Sequence, residues 1–183
     1  LFGKDYVTPV ELDKGLHLDL SVGGCTPMGQ ASKNMYEKIE KIIKMGKYDN
    51  SFPPITYIMS DGENNDAENP IGYLKKIQQI SVKDGNALVI ATYFGAEITG
   101  GDGRLFDTED PSWPEGAKIM FRSASILPDP VPTAIAVYFS EHTIHGKKIT
   151  AKPGDRLFFA ANDIESLAAT IGIIGSSSAP SLC

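Results

Sequence analysis

The most informative run of the sequence is Pro53-Pro54-Ile55-Thr56-Tyr57-Ile58-Met59-Ser60-Asp61-Gly62-Glu63-Asn64-Asn65-Asp66. Its first half is apolar and β-branched without polar alternation, which predicts a strand over residues 54–60 that is buried on both faces. Its second half is a polar loop that opens with Asp61 and Gly62. A carboxylate at the end of a buried parallel strand lies where open α/β sheets bind their ligands, so Asp61 is the first candidate for a functional residue. Asp-Gly is also an ordinary turn signal.

The residues that follow predict the fold class. Pro70 opens a helix that is expected to run to Gly85, with Asn69 or Asp66 as its cap. Residues 87–94 are another continuous apolar run and predict a second strand buried on both faces. Strand, helix and strand in this order predict a parallel crossover. We therefore expect an α/β fold, with a doubly wound, mostly parallel sheet and helices on both faces.

A glycine-rich turn precedes the first predicted helix. Residues 23–29 read Gly-Gly-Cys-Thr-Pro-Met-Gly, in which Thr26 is the predicted N-cap and Pro27 the first helical residue. The helix is expected to end near Gly46 and to bury an apolar stripe. The stripe consists of Met35, Tyr36, Ile39, Ile42 and Ile43. Further upstream, leucines alternate with polar residues over 16–20, which predicts a short half-buried strand.

Residues 95–155 are predicted to be an insertion of β character before the last strand and helix. An acidic loop at 95–116 lacks the carboxylate spacing of a calcium-binding EF-hand and is expected to be solvated. A helix over 117–124, a proline linker and strands over 133–139 and 144–151 follow. Two histidines in this region, His142 and His145, are too few ligands for a zinc site.

The last elements are a strand over 156–160 and a helix capped by Asn162, with Glu165 completing a capping box. Its predicted buried stripe is Ile164, Leu167, Ala168, Ile171 and Ile174. Residues 176–183 are rich in serine and are expected to form a flexible tail.

Length and composition narrow the function classes. A chain of 183 residues predicts one domain, over residues 1–175. A net charge of -6 argues against binding to a nucleic-acid backbone, and no apolar run approaches the length that spans a bilayer. Two cysteines, Cys25 and Cys183, form no pattern of paired bridges, which favours the reducing cytoplasm. The chain begins at Leu1 without an initiator Met, so we expect translation to start upstream.

Two motifs remain after the familiar catalytic signatures are excluded, since the sequence has no Gly-x-Ser-x-Gly elbow, phosphate loop or dinucleotide turn. They are the Gly-Gly-x-Thr-Pro-x-Gly turn and, about 35 residues later, the strand ending in Ser-Asp-Gly-Glu. Together they resemble the von Willebrand factor A family, most closely its bacterial branch of tellurium-resistance proteins. The resemblance covers residues 7–94 and 156–174.

The resemblance implies a metal-ion-dependent adhesion site. Thr26 is expected to bind the metal directly, and Asp61 directly or through water, while Ser60, Gly62 and Glu63 shape the rim. Mg²⁺ suits such hard oxygen ligands, with Mn²⁺ or Ca²⁺ as alternatives. In the family an acidic side chain of another protein completes the metal shell. The implied function is therefore binding to a protein and not catalysis.

One family motif, Asp-x-Ser-x-Ser at the end of a central strand, is missing upstream of the Thr26 turn. Residues 19–23, Asp-Leu-Ser-Val-Gly, have a similar spelling but lie too close to Thr26 to be that motif. We expect the missing strand to come from a segment outside this chain and to pack beside residues 54–60, whose edge would otherwise be unpaired. Two alternatives stay open: a metal-free component of a larger assembly, and a metal-dependent hydrolase that uses Asp61.

Overall fold

The computed structural model of the protein describes residues 26–46, 53–83, 85–98 and 104–177, without the side chains of Ala134 and of residues 173–177. The predicted strand at 16–20 lies outside these residues. The helices are α1 (Met28–Lys44), α2 (Pro70–Gln78), α3 (Glu115–Ser123), α4 (Thr133–Ser140) and α5 (Ile164–Ser177). The strands are β1 (Ile55–Ser60), β2 (Ser81–Val82), β3 (Gly85–Asn86), β4 (Leu88–Phe94), β5 (Thr143–Ile144), β6 (Lys147–Lys148) and β7 (Phe158–Ala161).

The chain divides into two compact units. The first comprises residues 1–54 and 63–87, and its described part contains α1, α2 and the short hairpin of β2 and β3. The second comprises residues 55–62 and 88–183, and contains β1, β4, β7, the helices α3 to α5 and the hairpin of β5 and β6. The prediction of one domain over residues 1–175 stays a prediction.

A parallel sheet forms the centre of the second unit. Its strand order is β1-β4-β7, with Ile55 opposite Leu88 and Ala91 opposite Phe158. β4 lies in the middle and is buried from Val89 to Tyr93, as expected of a strand with a neighbour on each side. The predicted α/β class and its strands at 54–60, 87–94 and 156–160 are confirmed.

β1 differs from the prediction that both of its faces are buried. Thr56 and Ile58 are buried, but Ile55 and Met59, on the opposite face, are 45% and 41% exposed. In the described part of the chain β4 is the one strand that pairs with β1, so β1 lies at the end of the described sheet and not in its middle. An apolar run does not distinguish an edge strand from a central one.

Helices cover both faces of this sheet. Neighbouring residues of a strand point to opposite faces, and Phe158 and Phe159 of β7 therefore define the two sides. The Phe158 ring packs against Phe121 of α3 at 5.6 Å, and the Phe159 ring against Phe139 of α4 at 6.0 Å. On the α4 side the core consists of Ile90, Leu105, Leu127, Phe139, Ile144, Ile149, Leu157 and Phe159.

The 95–155 region corrects the prediction of a β-rich insertion. The predicted helix at 117–124 is confirmed as α3, but the predicted strand at 133–139 is the helix α4. The predicted strand at 144–151 is reduced to a hairpin of two-residue strands. The strand prediction for residues 133–139 was wrong because a short apolar run fits a buried helix as well as a strand, and periodicity cannot distinguish the two structures.

The acidic loop is less solvated than its composition predicts. Leu105, Phe106 and Trp113 are buried, and the rings of Phe106 and Trp113 meet edge to face at 5.0 Å. The backbone amide of Arg156 also donates to the carbonyl of Phe106 at 2.8 Å. Aromatic side chains thus fix the described part of the loop to the second unit, while its carboxylates stay at the surface.

α5 begins one residue later than predicted. Asp163, and not Asn162, caps it, because its Oδ1 accepts a hydrogen bond from the Ser166 amide at 2.7 Å. The buried face carries Ser166 and Thr170, whereas the predicted stripe residue Ile164 is 82% exposed. α5 extends to Ser177, and the rest of the predicted tail, residues 178–183, lies outside the described residues.

The two helices of the first unit contact each other through Tyr36 and Tyr73, whose ring centroids lie 6.4 Å apart. Nζ of Lys76 lies 5.0 Å from the centre of the Tyr73 ring. α1 agrees with the predicted helix, but its apolar stripe is half-buried at best, with Met35 38% exposed. α2 is capped by Asn69 as predicted and ends at Gln78, because the β2–β3 hairpin follows it.

Among the described residues, no helix combines the length and the apolar character that crossing a bilayer requires.

Candidate functional site

Asp61 lies where the sequence predicts it, directly after the carboxyl end of β1, and its side chain is exposed. The Ser60 hydroxyl donates to Oδ1 of Asp61 at 3.2 Å and accepts a hydrogen bond from the amide of Gly62 at 3.0 Å. One hydroxyl therefore holds both the turn and the carboxylate beside it. This arrangement gives the Asp61 side chain a preferred orientation at the edge of the sheet where parallel strands present ligands.

The chain after Asp61 is pressed against the first turn of α3. Gly62 has φ +73°, and a Cβ on it would overlap the carbonyl of Gly116. A Cβ on Gly116 would in turn overlap the carbonyl oxygen of Asp61. Only glycine permits this backbone-to-backbone approach and this φ at low cost. The backbone of Asp61 is thus fixed from two sides, by Ser60 and by α3.

The other predicted ligand, Thr26, belongs to the first unit, as does the exposed rim residue Glu63. Thr26 is half-buried, and its carbonyl accepts hydrogen bonds from the amides of Met28 at 2.8 Å and Asn65 at 3.0 Å. Because Thr26 and Asp61 lie in different units, their convergence on one cation stays a prediction.

Thr26 is not the cap of α1, which corrects the sequence prediction. The helix begins at Met28 after Pro27, and its first-turn amides are bound by a distant loop. Oδ1 of Asn64 accepts from the amide of Gly29 at 3.0 Å, and Oδ2 of Asp66 accepts from the amide of Gln30 at 2.9 Å. The alternative explanation of Thr26 as a helix cap therefore no longer applies.

Side-chain bonds also hold the loop that supplies these caps. Nδ2 of Asn64 donates to the carbonyls of Asp66 at 3.2 Å and Glu68 at 3.1 Å. Oε1 of Glu68 forms an ion pair with Lys33 of α1 at 2.8 Å, and its Oε2 accepts from the Tyr73 hydroxyl at 3.1 Å. The hydrogen bond from Lys33 lowers the pKa of Glu68. The role of Asn64 does not follow from the sequence, because nothing in its local pattern points to a partner 35 residues away.

A separate pocket of about 420 Å³ lies in the second unit, lined by Glu97 and residues 104–113. Four of its lining side chains are carboxylates, which are Glu97, Asp107, Glu109 and Asp110. Arg122 forms two hydrogen bonds of 2.7 Å with Glu109 and lowers its pKa. Arg104 lies over the Phe106 ring at 4.8 Å. The surplus of carboxylates disfavours an anionic ligand here.

Nowhere in the described ranges do three His, Cys, Asp or Glu side chains form a group suited to a metal ion. A site built from one carboxylate, hydroxyl oxygens and water is not such a group, and Mg²⁺ commonly binds in that way. The side chains described around β1 that fit this chemistry are Asp61 and Ser60.

No family model matches the sequence, and neither a curated protein nor a solved structure matches the chain. The fold thus defines the class of the protein, an α/β protein with a parallel three-stranded sheet in its described part. The resemblance to the von Willebrand factor A family is carried by the two sequence motifs alone.

Proposed function

We propose that this protein is an interaction module of the von Willebrand factor A type, which binds an acidic group of another protein through a divalent cation. The observation that carries the proposal is the setting of Asp61. Its carboxylate is exposed at the carboxyl end of a parallel strand and hydrogen-bonded to Ser60, on a backbone fixed by Gly62 and Gly116. A rigid carboxylate at such an edge is a suitable first ligand for a cation.

The chemistry of Mg²⁺ agrees with this arrangement. Mg²⁺ prefers six oxygen ligands and keeps several water molecules, so that a site with few protein ligands leaves positions for a partner's carboxylate. Mn²⁺ and Ca²⁺ take similar ligands. Asp61 would hold the ion, with Ser60, Gly62 and Glu63 forming the rim. The role of Thr26 as a second ligand is taken from the resemblance.

The proposal includes a strand that another segment or chain adds beside β1. In the described part of the chain β1 has a strand neighbour on one edge only, and its Ile55 and Met59 side chains are exposed. An unpaired, uncharged edge favours the addition of a strand. The same observation favours the second candidate function, a metal-free component of a larger assembly.

We place the protein in the cytoplasm, because Cys25 and Cys183 form no paired pattern.

The test is a titration of the full chain with Mn²⁺, followed by electron paramagnetic resonance. Asp61→Ala is expected to weaken Mn²⁺ binding by more than about tenfold, since even residues that only orient metal ligands contribute that much. The matched control is Asp107→Ala, because Asp107 is also exposed and hydrogen-bonded to a neighbouring hydroxyl, that of Thr108 at 2.7 Å. Equal affinities in the two variants would refute the proposal. A wild-type protein that binds no Mn²⁺ would favour the metal-free assembly component.

A further inference from the structure

We infer that Asn64 and Asp66 are positioning residues that hold the Thr26 turn in its ligand-binding conformation; the inference rests on the proposed function. It concerns the first unit alone, where residues 64–66 bind the beginning of α1. Three hydrogen bonds connect the two segments. They join the Asn65 amide to the Thr26 carbonyl, the Gly29 amide to Asn64 Oδ1 and the Gln30 amide to Asp66 Oδ2.

The contact between the two segments is close enough to fix the backbone. A Cβ on Gly29 would overlap the carbonyl of Glu68 and a carboxylate oxygen of Asp66. Gly29 itself is buried. The turn thus meets the loop backbone to backbone, where a small shift of either segment breaks hydrogen bonds. The last glycine of the Gly-Gly-x-Thr-Pro-x-Gly turn is explained by this contact and needs no metal.

The side-chain amide of Asn64 is both a hydrogen-bond acceptor and a hydrogen-bond donor, and few other side chains could replace it. Its oxygen accepts from Gly29, and its nitrogen donates to the carbonyls of Asp66 and Glu68. An aspartate at this position would keep the acceptor but would place a second oxygen against two carbonyl oxygens. An alanine would remove all three bonds and leave the Gly29 amide without this acceptor.

These bonds also decide what the start of α1 can do. The first-turn amides of a helix attract anions when they have no partner. Here the amides of Gly29 and Gln30 are bound by Asn64 and Asp66. The amides at the positive end of α1 therefore bind the loop of residues 64–66 and keep it in contact with the Thr26 turn. A ligand pre-organised in this way binds a metal without first losing conformational freedom.

The experiment compares Asn64→Ala with Asn69→Ala in the full chain. Asn69 is the matched control, because its Oδ1 also caps a helix amide, that of Gly72 at 3.2 Å, but it makes no bond to the Thr26 turn. Mn²⁺ affinity is measured by electron paramagnetic resonance, and the exchange rate of the Gly29 amide by NMR. A purely structural cap would change the melting temperature in both variants without a selective loss of Mn²⁺ affinity.

Asn64→Ala is expected to weaken Mn²⁺ binding by about 10- to 100-fold, as residues that orient metal ligands do, and to speed exchange of the Gly29 amide. Asn69→Ala should change the affinity by less than about twofold, as a site without shared partners does. If Asn64→Ala does not fold, Asp66→Asn is measured in its place. This variant keeps one of the two side-chain oxygens of Asp66 as an acceptor. Equal affinities in the Asn64 or Asp66 variant and the Asn69 variant would overturn the inference and leave the proposed function intact. A wild-type chain without Mn²⁺ affinity would overturn both.

Discussion

The close approach of Gly62 and Gly116 makes Gly62→Ala the most informative stability variant. The substitution carries two costs. An alanine at φ +73° costs about 1–2 kcal/mol in the left-handed region. Its Cβ also overlaps the Gly116 carbonyl, and relieving such overpacking costs about 1–3 kcal/mol more. We therefore expect the free energy of unfolding to fall by about 2–5 kcal/mol.

Gly146→Ala separates the two costs. Gly146 has φ +70°, close to that of Gly62, but within the described residues no atom lies within 4 Å of a Cβ built on it. This variant should show only the conformational cost. Urea and thermal unfolding followed by circular dichroism should place Gly62→Ala about 1–3 kcal/mol below Gly146→Ala, or about 2–12 °C lower in Tm. Equal losses in the two variants would refute the packing of α3 against the Asp61 turn.

Two further variants test buried and charged groups. Thr56→Val should raise the free energy of unfolding by about 1 kcal/mol, because the buried Thr56 hydroxyl has no hydrogen-bond partner among the described residues. Thr92→Val is its control and should lower the free energy of unfolding, since the Thr92 hydroxyl accepts a hydrogen bond from Tyr57 at 2.8 Å. Both free energies are measured by urea unfolding, and an equal loss of stability in the two variants would contradict this expectation. Glu68→Gln should be less stable than wild type at neutral pH, and the gap should close in acid. The hydrogen bond from Lys33 lowers the pKa of Glu68, so its stabilisation is complete above the ordinary value of 4.5 and is lost as the pH falls through the lower folded value. Unfolding measured from neutral to acid pH would contradict this if the gap stayed constant.

The elements that the sequence predicts correctly are those with a long or distinctive local pattern. β4 is a continuous apolar run, and α1 has charged residues opposite an apolar stripe. α4 fails because its eight residues are almost all apolar, which leaves no polar face to reveal a helical period. For α5 the predicted helix is present but its predicted buried stripe is wrong, because the buried face carries Ser166 and Thr170. The Thr170 hydroxyl donates to the Ser166 carbonyl at 2.6 Å, so a polar residue is buried at little cost.

The residues of the candidate site also differ in whether their roles follow from the local sequence. Ser60, Asp61 and Gly62 are neighbours in sequence, and their mutual hydrogen bonds follow from a local turn that the sequence can reveal. Asn64 and Asp66 act on residues 35 and 36 positions away. Their composition predicts a loop, and only the packing of that loop on α1 gives them their role. Helix caps supplied by a distant segment leave no mark on the helix's own sequence.

The glycines and the candidate ligands of the two motifs differ in whether their residue types depend on metal binding. Gly29 and Gly62 each lie beside a backbone that a Cβ would overlap, Glu68 in one case and Gly116 in the other. Each has a reason to be glycine that involves no metal, so both glycines are expected whether or not the protein binds a metal. The glycines therefore do not favour one function over the other. What separates a metal-dependent adhesion module from an assembly component is the chemistry of the Thr26 and Asp61 side chains, and for this reason the Mn²⁺ titration of the Asp61 variant is the decisive measurement.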